Sequence, residues 1–249
     1  MNKIERLEAL FERWEKAHAE ESDKSFAKTS NGSNIKKHFF ERDGIIDEEA
    51  FSREKVKVLF ISAEANVNEY AEKKSVEKTN YRQHYLDYAK TGHDDWGGKM
   101  RERLSGMYRY ISKQHDKELK EMATKFAVMD INKRGGCSTI DKGAHLKEYA
   151  KIYKNYINEE IQIIDPDVVV LLGVNLCRLK IVQSLGCESE SDRNYFVING
   201  KKVPILLSFQ TANVEFQKKK FPPLEDCGNT AIGILCNKLK QEMEKYGLV

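Results

Sequence analysis

The sequence predicts an α/β fold: a three-layer α/β/α sandwich built on a central four-stranded, mostly parallel sheet. Four short segments, Val56 to Ile61, Phe126 to Ile131, Val168 to Leu172 and Val203 to Leu207, are almost continuously apolar, as strands covered on both faces tend to be. Amphipathic helical patterns lie between them. Chains that alternate strand and helix in this way build a parallel sheet with helices on both faces.

Each element follows from its own residues. Ile4, Leu7, Phe11 and Trp14 recur at helical spacing in a charged segment and predict an N-terminal helix. Ser22 to Ser33, rich in Ser, Lys, Asn and Gly, predicts an exposed loop, with a short apolar element around Ile35 to Phe40 behind it. Residues 1–50 are therefore expected to form a helical extension docked on a main domain of residues 51–249. Within that domain Met100, Leu104, Met107 or Tyr108, and Ile111 mark one helix. Leu146, Tyr149, Tyr153, Ile157 and Ile161 mark another, ending before Asp165-Pro166 because proline disfavours helical geometry in its predecessor. Leu176, Leu179 and Val182 mark a third. Ile232, Leu235, Leu239 and Met243 mark a C-terminal helix capped by Asn229 and stopped by Gly247.

Composition excludes little. The 249 residues, 40% hydrophobic, suffice for a large core without staples. Forty-two Lys and Arg against thirty-nine Asp and Glu leave a formal charge of +3, too small to announce nucleic acid. The five scattered cysteines show no metal-ligand spacing and read as free thiols of a reducing compartment. No apolar run approaches the roughly 18 residues of a membrane span, so a cytoplasmic protein without membrane partners is expected.

In open α/β sheets ligands bind beyond the carboxyl ends of the strands. Those ends read Ser62-Ala63-Glu64-Ala65-Asn66, Asp130-Ile131-Asn132-Lys133-Arg134-Gly135-Gly136, Gly173-Val174-Asn175, and Ser208-Phe209-Gln210-Thr211-Ala212-Asn213. They are polar and mostly small, and supply carboxylates and amides suited to a planar polar ligand. Gly135, Gly136 and Gly173 would let backbone approach it. Neither a P-loop nor a G-x-G-x-x-G turn follows any strand.

With the passage Ile163-Ile164-Asp165-Pro166-Asp167-Val168-Val169-Val170-Leu171-Leu172-Gly173, these strand ends resemble the uracil-DNA glycosylase superfamily over roughly residues 55 to 245. The resemblance implies a DNA glycosylase that hydrolyses the N-glycosidic bond of a flipped, damaged or modified base. Glu64 then takes the acidic role of the family's first motif, activating water and stabilising an oxocarbenium-like sugar, with Ser62 and Asn66 beside it. Asp130 stands where the family reads the base with asparagine, and Asn132 is the next residue on that face. An ionised carboxylate only accepts hydrogen bonds, so Asp130 suits a base presenting an amino group rather than uracil. The family's last motif carries a histidine that this chain lacks; Gln210 could contact the leaving base, and Ser208 and Thr211 base or backbone.

Gly173 and Asn175 complete the expected substrate contacts. Lys133, Arg134, Lys218 and Lys219 are expected on DNA phosphates, and Phe209 is either a wedge into a base step or a core aromatic. No cofactor or metal is expected, because the cysteines lack the iron–sulfur arrangement of some family branches. The protein is expected as a monomer acting on DNA. Two alternatives stay open: a non-catalytic nucleotide or nucleic-acid binding module, and a hydrolase of free nucleosides or nucleotides.

Overall fold

The computed structural model describes residues 1–20, 40–66, 78–93, 99–136, 144–173, 176–211, 214–227 and 229–249. Helices α1 (Lys3–Ala19), α2 (Glu48–Arg53), α3 (Tyr81–Thr91), α4 (Met100–Ile111), α5 (Leu119–Met122), α6 (Ala144–Ile152), α7 (Lys154–Ile164), α8 (Leu176–Ser184) and α9 (Thr230–Lys245) accompany nine strands. These are β1 (Phe40–Arg42), β2 (Gly44–Ile45), β3 (Val58–Asn66), β4 (Lys78–Asn80), β5 (Ala127–Gly136), β6 (Val168–Leu172), β7 (Glu188–Glu190), β8 (Arg193–Ile198) and β9 (Lys201–Ser208).

The fold is α/β, but the sheet is larger than expected. It has seven strands in the order β2-β5-β3-β6-β9-β8-β7 and is mixed. Its middle, β5-β3-β6-β9, is parallel and comprises the strands legible in the sequence. Antiparallel β2 is added at one edge and antiparallel β8 and β7 at the other. The β8–β9 hairpin turns on Asn199 and Gly200, both with positive φ (50° and 78°), the pairing that two-residue hairpins favour. A short parallel pair, β1 and β4, lies outside this sheet.

Alternation along the strands divides the core in two. Leu59 and Ile61 of β3 point to the side carrying Leu7, Phe11 and Trp14 of α1, Tyr149 of α6 and Ile157 of α7. Val58 and Phe60 point to the side carrying Tyr85 of α3, Leu104 and Tyr108 of α4, and Leu235 of α9. The described parts of the amino-terminal segment, residues 1–20 and 40–50, pack on this architecture: β2 hydrogen-bonds to β5, and Trp14 is fully buried, stacked on Tyr156 at 5.5 Å. A capping box starts α1, with Asn2 Oδ1 accepting from Glu5 N at 2.8 Å and Asn2 N donating to Glu5 Oε2 at 3.0 Å.

The long helix expected across Leu146 to Ile161 is two helices broken at Tyr153. The second ends at Asp165, whose left-handed backbone (φ 53°) precedes Pro166. Residues 81–91 are helical and place Tyr85 and Tyr88 in the core. The C-terminal helix is capped as expected, Asn229 Oδ1 accepting from Ile232 N at 3.0 Å. No helix among the described residues is long and apolar enough to cross a membrane.

Candidate functional site at the carboxyl ends of the parallel strands

Because β5, β3, β6 and β9 run parallel, their carboxyl ends lie along one edge of the sheet. There β3 and β5 pair Ser62 with Asp130 and, two residues on, Glu64 with Asn132. The Ser62 hydroxyl donates to Asp130 Oδ1. Asp130 and Asn132 are buried, at 2% and 1% exposure. The side chains of Glu64, Asn66 and Arg134 lie outside the described residues, as does all of Asn175.

The amino-terminal segment supplies a partner that the sequence reading missed. Glu41, on β1, is 2% exposed and shares a hydrogen bond with Asp130. Burial pushes its carboxyl well above the usual range, and Asp130 and Asp43 add to the effect. Its Oε2 has no hydrogen-bond partner. Asp43, two residues on, accepts from the backbone N–H of Asp130 at 2.6 Å.

On the opposite face of β5 stands Lys133, which corrects an expectation. It is not available to phosphates: it is fully buried, 2.5 Å from Asp43 Oδ1 and 2.9 Å from Glu160 Oε2. Its ammonium also lies 5.4 Å from the ring centroids of both Phe11 and Trp14. Burial alone would favour the neutral amine, but Asp43 and Glu160 hold it protonated. Two carboxylates around one ammonium leave surplus negative charge, and burial together with Asp43 pushes Glu160 toward its neutral form.

Ser62 and Asp130 line a narrow cleft with Phe60, Tyr81, Met100, Leu104 and Leu172. It is too narrow to admit a water molecule. At its mouth the Tyr81 hydroxyl donates to Met100 Sδ at 3.5 Å, a weak acceptor. Burial, then Tyr85, Asp130 and Glu41, raise the Tyr81 hydroxyl well above its ordinary value, so it stays protonated.

The last loop is arranged differently from the expectation. Ser208 is fully buried with an unpartnered hydroxyl, and Thr211 is buried. Gln210 is exposed and outside the cleft. Gly173 has the positive φ (91°) that favours glycine, but its N–H donates to Ser208 O at 2.8 Å and is not offered to a ligand. Phe209 packs edge-on against Phe221 at 4.9 Å, which is the core reading of that residue. The exposed aromatic is instead Phe216, 85% exposed in a 3-10 turn (Val214–Gln217) and followed by exposed Lys218, Lys219 and Lys220. Arg103 of α4 anchors this turn, donating to Thr211 O and lying 3.7 Å from Glu215. Among the described residues no cluster of three or more His, Cys, Asp or Glu is arranged to hold a metal ion.

No protein-family model, curated protein or solved structure matches the chain.

Proposed function

We propose that the protein is a DNA glycosylase that draws a flipped base to the carboxyl edge of the parallel strands and hydrolyses its N-glycosidic bond. The observation that carries this reading is the pairing of Ser62 with Asp130, and of Glu64 with Asn132, on adjacent parallel strands beside a cleft. In the reaction the C1′–N bond breaks and its electron pair leaves with the base. Water adds to C1′; its proton passes to Glu64 and, through solvent, to the departing base. Asp130 and Ser62 hold the base edge, which fixes the reacting atoms in place.

The missing histidine makes the leaving group's charge the hardest requirement, and Gln210, exposed beyond the cleft, does not meet it. A base that leaves easily, such as a damaged or modified one, is therefore the expected substrate; flipping is also cheapest for such bases. Phe216 and the lysines that follow it form the duplex contact: the ring fills the gap left by the flipped base, and Lys218 and Lys219 meet phosphates.

One observation favours a second reading, a nucleic-acid binding module without turnover: the cleft is closed by Tyr81 and Met100, and a base enters only if they part. Incubation with oligonucleotides carrying uracil, hypoxanthine, and plain or modified cytosine, followed by alkaline cleavage, separates the two. Cutting in any lane that is lost in Glu64→Gln supports the enzyme. A duplex shift at low salt with no cutting by the wild type supports the module.

A further inference from the structure

Asp130, at the cleft wall, is bonded to buried Glu41, and Asp43 behind it is shared with buried Lys133, which also pairs with Glu160. Lys133 is spent on Asp43 and Glu160. The Glu41–Asp130 pair is out of water, and burial together with Asp130 and Asp43 drives the Glu41 carboxyl toward its neutral form. Hydrogen bonding decides which partner keeps the proton. Asp130 accepts from the Ser62 hydroxyl and is bonded to Glu41, whereas Glu41 has one oxygen with no partner at all. Charge is disfavoured on the partner with the fewer donors, which makes Glu41 the proton holder of the pair, in keeping with its raised carboxyl. The Tyr81 hydroxyl contacts Met100 Sδ, a weak acceptor, and the Tyr85 hydroxyl, and a ring nitrogen entering the cleft would compete with both for its proton.

We propose that Glu41 is the specificity-determining partner of Asp130: its carboxyl holds Asp130 as an acceptor-only group facing the cleft, which selects a base with an exocyclic amino group, of the cytosine or adenine type. This rests on the reading of the strand-end cleft as a base pocket. The amino group donates to Asp130, and the adjacent ring nitrogen accepts from Tyr81. A uracil-type edge presents an oxygen where Asp130 requires a donor and is repelled. Removing Glu41's donor lets Asp130 take up the proton itself, and a protonated carboxyl both donates and accepts, which suits uracil.

The test is equilibrium binding to uncleavable 2′-fluoro duplexes carrying one mispaired cytosine, adenine or uracil, measured beside cleavage of the ordinary duplexes. The wild type is expected to bind cytosine or adenine at least tenfold more tightly than uracil. Glu41→Gln, whose amide still donates to Asp130, keeps that preference. Glu41→Leu and Asp130→Asn shift it toward uracil by tenfold or more. Equal binding of all three bases by the wild type, no binding of any, or an unchanged preference in a folded Glu41→Leu protein overturns the proposal. The expected preferences without cleavage of any duplex leave the proposal standing and defeat the glycosylase reading alone.

Discussion

Ser62 and Asp130 are register partners on adjacent parallel strands, and the hydroxyl of the first donates to the carboxylate of the second. This bond joins the end of β3 to the end of β5 inside the cleft. A hydrogen bond to a charged group contributes about 1.5–3 kcal/mol, and each 1.36 kcal/mol or so is a factor of ten in rate. Ser62→Ala is therefore expected to lower base release roughly tenfold or more while the fold persists. Single-turnover kinetics with circular dichroism as the control checks it; an unchanged rate removes the bond from the account.

Lys133 serves stability and not binding. Substituting Met removes the ammonium that pairs with both Asp43 and Glu160 and leaves these buried carboxylates without it. Breaking a buried pair from one side costs about 3–5 kcal/mol, and urea denaturation is expected to show a loss of that size. A loss below about 1 kcal/mol, within the range of surface ion pairs, would contradict the buried geometry.

Glu41 makes stability depend on pH with a definite sign. Its carboxyl is held above its ordinary value by burial, Asp130 and Asp43. Its contribution is full below the unfolded value of about 4.3 and is lost as pH rises toward the folded value. Within that window the stability lost to this group approaches about 1.4 kcal/mol per pH unit. Glu41→Gln removes the term, so its thermal midpoint is expected to overtake the wild type's progressively above about pH 4.3. Parallel midpoint curves for the two proteins would show that Glu41 does not hold the proton.

Phe216 contributes nothing to the core, being 85% exposed. Phe216→Ala is expected to leave the denaturation midpoint unchanged and to weaken duplex binding by about 1–3 kcal/mol, the usual worth of an aromatic stacked on a base. Replacing Lys218 and Lys219 together with Ser is expected to reduce the slope of log affinity against log salt by about 1.8, at roughly 0.9 per phosphate contact. Fluorescence anisotropy across a salt series measures both. Unchanged binding in all variants places the duplex elsewhere.

The parallel centre of the sheet was legible because β3, β5, β6 and β9 are continuous apolar runs, a signal that needs no partner to interpret. The edge strands were not, because a strand with one exposed side carries a short and broken pattern; β8 alternates weakly and β7 is exposed throughout. Its one strong cue, Asn199-Gly200 between two β-rich runs, was present and went unread. Within the site, the adjacency of Ser62 and Asp130 follows from the parallel pairing of β3 with β5, which no local sequence signal specifies. Glu41 and Asp43 stayed hidden because their approach to β5 is a tertiary event, and nothing local marks a carboxylate as buried. Lys133 departs from expectation for the same reason: sequence gives its charge but not the two acids, Glu160 and Asp43, 27 and 90 positions distant, that strand and helix packing bring around it.

The central claim is that this strand-end site hydrolyses a glycosidic bond, and the most direct measurement is mass spectrometry of DNA products formed in ¹⁸O-labelled water. The account predicts release of a free base and one heavy oxygen on the abasic sugar, both absent with Glu64→Gln. An intact base on every strand after prolonged incubation with folded wild-type protein would contradict it.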